Sequence, residues 1–300
     1  MEKNRSIALY LLCCYVVYLP SSLAQVPDPK FSLNISHQAR SLQPGEVILA
    51  TVQSSKPLKR LQGSTFDKTF LFYPLDGSKT WLGLIGIDLE TTPGRYRLKV
   101  QAVALTGEQN KSSYTFVVAG KKFPIRRLRV DEKYVNPPQR ALKRISRESS
   151  KIKAIFSKIS GTKMWNSHFL LPVPGTTTSG FGRRNILNGQ PRSPHSGTDF
   201  RANEGTPVLA PNSGMIVLAE DLYYSGKTVI IDHGQGLYSY FAHLSHFLTQ
   251  KGAMISSADL VGYVGSTGRV TGPHLHWSVR LNGSRVDPLS LVAVLSKDRL

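Results

Sequence analysis

TGPHLHWSV, Thr271 to Val279, sets two histidines one residue apart inside an apolar run. Read as a β-strand, it places His274 and His276 on one face and Leu275 on the other, because successive side chains alternate. Pro273 then falls at the strand start, where its missing N–H costs least. The upstream stretches have the same character. GTPVLAP (205–211), GMIVLAED (214–221), KTVIIDHG (227–234), LYSYFAHL (237–244) and DLVGYVGS (259–266) are short and β-rich, with glycine-containing turns between them. A β-domain is expected over 165–300, closing near an Asp287–Pro288 turn and a short apolar tail.

The strand pattern also fills the first third. EVILATV (46–52), TFLFYPL (69–75), WLGLIGIDL (81–89), RYRLKVQAVAL (95–105) and YTFVVAG (114–120) run apolar or alternate, with Pro44-Gly45, Asp76-Gly77, Pro93-Gly94 and Thr106-Gly107 as breaks. Strands at about ten-residue spacing predict an immunoglobulin-like β-sandwich over 25–120, without an inter-sheet disulfide. The expected fold class is therefore mainly β.

Residues 121–164 break the pattern. Fourteen Lys and Arg stand against Asp131, Glu132 and Glu148, leaving +11 of the chain's +19. Pro137-Pro138 can open a helix. Leu142, Ile145, Ser149, Ile152, Ile155, Phe156 and Ile159 then recur at helical spacing, while Arg140, Lys143, Arg144, Arg147 and Lys151 take the other face. This predicts a basic amphipathic helix linking two domains. One reading packs it on a neighbouring domain with a solvated basic face. The other has Arg140, Lys143, Arg144 and Arg147 bind an anionic envelope polymer or membrane surface.

The amino-terminal stretch bears on compartment. Lys3 and Arg5 precede an apolar run from Ile7 to Leu19, then Pro20 and Ser22-Leu23-Ala24. That is the layout of a signal peptide over 1–24, and the run is too short for a membrane span. An exported chain, periplasmic or secreted and associated with the cell envelope, is expected. Cys13 and Cys14 are the only cysteines, so the processed chain would contain neither disulfides nor thiolate ligands. A basic chain is drawn to polyanions, but export argues against nucleic acid as the partner.

A metal site would then need His, Asp or Glu. PHSGTDF sets His195 and Asp199 four apart, SYFAHLSH carries His243, and the opening stretch adds His274 and His276. Zn²⁺ accepts imidazole nitrogen and carboxylate oxygen, and a catalytic site leaves one position to water. Remaining histidines can move protons or steady an oxyanion. Spacing alone leaves open which three of the five residues hold metal. His37 reads as a solvated polar residue and His233 as a structural residue of a hairpin turn. His246 and His168 have no evident role. Asn188-Gly189 is a turn signal near the site.

The stretches SGFGRRNILNG (179–189), HSGTDFRANEGTPVLAPNSGMIVLAED (195–221), VIIDHGQGLYSYFAHLS (229–245) and VGYVGSTGRVTGPHLHWSV (261–279) together resemble the lysostaphin-type (LytM-like) zinc metallopeptidases, which cut peptide cross-links in peptidoglycan. The resemblance implies an antiparallel β-sheet peptidase domain that binds one Zn²⁺ through His195, Asp199 and His276. It implies catalytic roles for His243 and His274, without saying which is the base, and peptidoglycan stem peptides as substrate. All five positions are filled, unlike the degenerate relatives that have lost zinc. Lys227-Thr228 replaces a usual Gly-Asn, and KGAMISSADLVG (251–262) is an atypical turn. Both bear on groove shape and substrate preference. The alternative is a non-catalytic envelope-binding module or a regulator of another cell-wall hydrolase.

Overall fold

The computed structural model describes residues 31–129, 132, 135–166 and 168–296. The expected signal peptide and both cysteines lie outside the described residues. Among the described residues, no helix is long and apolar enough to cross a membrane.

The first part consists of β1 (Leu33–Ala39), β2 (Val47–Ser54), β3 (Leu58–Thr65), β4 (Lys68–Leu71), β5 (Tyr73–Asp76), β6 (Thr80–Gly86), β7 (Gly94–Ala104) and β8 (Gln109–Val118). They form two antiparallel sheets, ordered β1-β2-β6-β5 and β4-β3-β7-β8. The apolar run TFLFYPL is not one strand. The chain breaks at Phe72 and delivers β4 and β5 to different sheets. Strands β1 and β3 escape a search for apolar runs because only alternate residues face inward.

Strand β2 shows why some runs are continuously apolar. Ile48, Ala50 and Val52 join a core shared with Leu98 and Val100 of the facing sheet. Val47 and Leu49 join a second core, with Trp277, Val286 and Leu291 of the carboxy-terminal part. Strand β6 divides likewise, Trp81 and Ile85 to one side, Leu82 and Leu84 to the other. A strand buried on both faces loses its polar alternation. The two halves thus pack through a common core. Polar links pin its edge: Arg40 Nη2 to Asp287 Oδ2 at 2.6 Å, Arg285 Nη2 to Asp88 Oδ1 at 2.6 Å, and Val47 N donating to Ser290 Oγ at 2.9 Å.

Between the halves lie β9 (Ile125–Leu128) and α1 (Gln139–Phe156). Pro138 is the N-cap of α1. Ile152, Ile155 and Phe156 pack on Leu218, Leu222, Ile230 and Tyr238 of the second sheet. The helix stops at Phe156, so Ile159 is exposed, as is Leu142. Two of the exposed basic side chains pair with groups of the protein itself. Arg144 bonds Glu148 at 2.6 Å and the Asp221 carbonyl at 2.9 Å, and Lys151 pairs with Glu220 at 2.6 Å. Arg140, Lys143 and Arg147 are exposed. The helix is therefore docked on the second sheet.

The rest comprises β10 (Thr177–Ser179), β11 (Arg184–Leu187), β12 (Gln190–Pro191), β13 (Gly197–Phe200), β14 (Pro207–Leu209), β15 (Gly214–Leu222), β16 (Gly226–Gly234), β17 (Leu237–Phe247), β18 (Met254–Ile255), β19 (Leu260–Val264), β20 (Leu275–Leu281), β21 (Ser284–Val286) and α2 (Pro288–Val294). Its main sheet runs β10-β13-β20-β17-β16-β15-β18, antiparallel throughout, with β14 and β19 attached at β17 and β21 at β20. A separate small sheet pairs β11 with β12 and, in parallel, with β9. The Asp287–Pro288 turn and apolar tail are in fact the start and body of α2. Asp287 caps it, accepting from Leu289 N at 3.1 Å, and Pro288 has no N–H to lose there.

Candidate metal centre

Strands β13, β20 and β17 lie side by side, and their register builds the site. Asp199 pairs across β13–β20 with His276, which pairs across β20–β17 with Ala242. Directly opposed residues share a face, so Asp199 and His276 emerge together. His195 precedes β13 and reaches the same point. His195 Nε2 lies 3.0 Å from Asp199 Oδ1 and 3.0 Å from His276 Nδ1, and His276 Nδ1 lies 2.8 Å from Asp199 Oδ1. Gly197 leaves room for this. A Cβ there would sit 2.7 Å from His276 Nε2 and 2.5 Å from Ser278 Oγ.

His243 arrives by a different route. Phe241 pairs with Val229 and Leu244 with Lys227, so Ala242 and His243 together face the single residue Thr228. This is a β-bulge, and His243 has φ of 65°. In an unbroken strand His243 would follow Phe241 to the core face. The bulge turns it to the site face, where its ring lies 5.0 Å from that of His274 and 6.0 Å from that of His276. The His243 amide donates to the Ser225 carbonyl at 2.8 Å, which holds the bend. His274 sits just before β20, bridged to Gly265, with Nε2 4.0 Å from Asp199 Oδ1.

The outer nitrogens of the four rings are engaged. Nδ1 of His195, His243 and His274 lies 3.2, 2.9 and 2.9 Å from the carbonyls of Gly180, Thr267 and Gly272. A carbonyl only accepts, so each Nδ1 carries the proton and a neutral ring keeps its lone pair on Nε2. His276 Nε2 meets Ser278 Oγ at 2.8 Å, and its Nδ1 faces the centre. Lone pairs of His195 Nε2, His276 Nδ1 and Asp199 Oδ1 therefore converge at hydrogen-bond distance, an arrangement that repels itself unless a proton or cation lies between. These three are the residues among those described that are grouped to hold a metal ion. Two imidazoles and one carboxylate, oriented from behind by carbonyl and hydroxyl groups, suit Zn²⁺.

Charge at the site is correspondingly perturbed. Burial opposes ionisation of Asp199, but the His195 and His276 rings, which donate to it once protonated, outweigh that and hold the carboxyl far below the usual range. Burial lowers His276, and the Asp199 carboxylate only partly restores it. Burial, then the neighbouring His276 and His274, push His243 down to about 3, so its ring is neutral at pH 7. The five residues line one groove of about 1110 Å³, whose walls also include Arg126 of β9 and Phe156 of α1.

The remaining histidines lie elsewhere. His233 belongs to β16, one residue short of the tip at Gln235-Gly236, and is fully buried between the Ser213 carbonyl at 2.7 Å and Ser239 Oγ at 2.9 Å. The His246 ring lies tilted against that of Tyr263, and His37 bonds Tyr114. Sequence reasoning missed Ser278 behind His276, and Thr267 and Gly272, whose carbonyls orient two rings. Ser278, two residues from His276, is the one with a legible signal, since it shares that strand face.

A model of peptidase family M23 matches residues 193–288. Over 97 residues the chain is 40% identical to the peptidoglycan DD-endopeptidase ShyA of Vibrio cholerae, a stretch covering 32% of this chain and 23% of that protein. The chain thus spans about a quarter of the first curated relatives it matches. The peptidoglycan DD-endopeptidase ShyB of Vibrio cholerae aligns over 89% of this chain and 70% of its own length at 26% identity. A solved structure described as a peptidase M23 from Pseudomonas aeruginosa superposes with a TM-score of 0.66 at 33% identity, covering 85% of this chain and 96% of that one.

Proposed function

Because this chain belongs to peptidase family M23, we propose that it is an exported zinc endopeptidase that hydrolyses DD-peptide cross-links of peptidoglycan. The observation that supports this best is the convergence of His195, Asp199 and His276 on one point, with His243 and His274 facing it across the groove. His195 Nε2, Asp199 Oδ1 and His276 Nδ1 would hold the ion. Zinc bound there supplies Lewis acidity, polarising a carbonyl and lowering the pKa of a water.

The other two histidines handle protons. His243 is neutral at pH 7 and offers Nε2, because its Nδ1–H is spent on the Thr267 carbonyl. It takes the proton of the attacking water. His274, oriented by the Gly272 carbonyl, presents Nε2 to the same space and donates to the developing oxyanion or the leaving amine when protonated. The groove walls position an extended peptide and limit water. Export rests on the layout of residues 1–24 and on the relatives' substrate. It places the enzyme in the periplasm or at the cell envelope.

The test is metal analysis of the purified protein together with mass spectrometry of the fragments it releases from peptidoglycan. One zinc per chain and cleavage that stops on chelation and returns with Zn²⁺ are expected. Cleavage by metal-free protein, or zinc-loaded protein that releases nothing, would sink the reading.

A further inference from the structure

Beside the histidines, the groove is lined by Arg126, Arg183, Arg192, Arg201, Arg269 and Arg280, and Asp199 is the only acid among the described residues that line it. Several of these arginines have an occupation. Arg192 donates to the Val135 carbonyl at 3.0 Å and to Gln190 at 2.9 Å. Arg269 lies over the Tyr224 ring at 4.4 Å, and Arg280 over Phe156 at 5.2 Å with a bond to Ser196 Oγ. Arg183 has a buried Nε without a hydrogen-bond partner, as has Arg192, whose Nη2 is nonetheless bonded. Burial disfavours the charge of Arg183, the like charge of Arg126 adds to that, and Asp199 offsets only part.

Arg183 is half-buried and Arg126 exposed, and both line the groove, so an anion entering there meets two guanidinium groups. The main chains of both are held in place. The Arg183 carbonyl accepts the His195 amide at 2.9 Å, and Gly182 N donates to the His195 carbonyl at 2.8 Å. Arg183 is thereby tied to the segment carrying a proposed metal ligand. Arg126 comes from β9, where it pairs with Asn185 of β11 in parallel register. Gly182, with φ of +83°, lets the Phe123 ring close on the same loop; a Cβ there would fall 2.1 Å from that ring. Asn185 Oδ1 is also buried and unbonded, ready to take an N–H. A carboxylate next to an amide N–H matches this set, and guanidinium groups bind carboxylates with two parallel bonds.

We propose that Arg126 and Arg183 form a carboxylate subsite beside His195 that selects cross-linked peptides bearing a free carboxylate near the scissile bond over neutral or amidated ones. This rests on the reading of the groove as a peptide-binding site. Part of the specificity then comes from β9, outside the matched family segment.

The test measures binding by calorimetry, with zinc-loaded full chain carrying His243→Ala so that the probe is not consumed. The probes are cross-linked muropeptide dimers with free carboxylates and the same dimers after amidation. The parent should bind the acid form at least tenfold more tightly. Arg126→Gln and Arg183→Gln should each shrink that ratio threefold or more, and the pair should bring it near one. Arg126 is exposed, so its variant decides the matter if Arg183→Gln misfolds. A parent ratio within twofold, no measurable binding of the acid dimer, or an Arg126→Gln variant that keeps the tenfold ratio overturns the proposal. Selective binding, together with zinc-loaded wild-type protein that releases no fragments from peptidoglycan, would leave the subsite standing and refute the endopeptidase reading instead.

Discussion

Strand β20 carries two faces with the same neighbours and opposite chemistry. On one face Leu275, Trp277, Val279 and Leu281 are fully buried, with Trp277 stacked parallel to Phe241 of β17 at 6.5 Å. On the other, His276 and Ser278 stand beside Asp199 and Tyr240, with His276 bonded to both Asp199 and Ser278. The core face is held by area and dispersion, which are nondirectional and shared among many atoms. The groove face depends on which atom carries a proton and where its lone pair points. Substitutions on the first face should therefore be graded in stability. On the second they should be abrupt in metal binding and turnover.

The largest effect is expected for His276→Ala. Zinc content should fall below about a tenth of an ion per chain and cleavage to background, because one of three proposed ligands is gone. A variant that keeps stoichiometric zinc would move the metal site off this face. Next, His243→Ala should retain zinc yet lose about 10²–10⁴-fold in kcat, the usual contribution of a positioned acid–base group. Loss of zinc in that variant would make His243 a ligand and break the division of roles.

On the core face, Trp277→Ala should cost about 3–5 kcal/mol in denaturant unfolding, the range for deleting a large buried aromatic ring. A cost below about 1 kcal/mol would erase the contrast between the faces. The pH dependence of stability probes the cost of a buried polar group at one histidine. His233 is entombed, and burial pushes it down to about 4 despite its bond to the Ser213 carbonyl. Its folded value lies below the ordinary one of about 6.5, so protons prefer the unfolded chain. The stability it contributes is full above about pH 6.5 and drains as the pH falls toward 4, by as much as about 3 kcal/mol. Chemical unfolding of the wild type between pH 7 and pH 4 should show this slope, and His233→Gln should make it shallower, leaving the share of His243 and His276. The smallest effect is expected at α1. The exposed Lys151–Glu220 pair should be worth under about 1 kcal/mol, so Lys151→Ala should scarcely move the melting temperature.

Legibility in the sequence followed how local each feature is. The strands of the carboxy-terminal half are readable because alternation and turn residues are written within each segment, as in HLHWSVRL. The split of TFLFYPL between two sheets is not, since nothing within those seven residues says that Leu71 and Tyr73 pair with different neighbours. The apolar stripe of α1 is legible. That Arg144 and Lys151 turn to Asp221, Glu148 and Glu220 is not, because those partners lie mostly on β15, far along the chain. Arg126 drew attention only as one of fourteen positive charges. Its place in the groove depends on β9 pairing with β11, about sixty residues away.

By itself the sequence determined the inventory: which atoms can bind a metal, that no thiolate competes outside the first residues, and that His274 and His276 share a strand face. Tertiary structure alone decided how that inventory is used. Side-chain direction along an unbroken strand is a property of the local backbone, so it can be counted off. The bulge at Ala242–His243 exists because three strands must pair in one register, and it reverses the face on which His243 emerges. The lone pair each ring presents is likewise set by a carbonyl or hydroxyl, which for His195 and His243 comes from 15 and 24 residues away and for His274 and His276 from two residues away. Pairing and hydrogen bonding between distant segments are cooperative outcomes of the whole fold, and no single stretch encodes them.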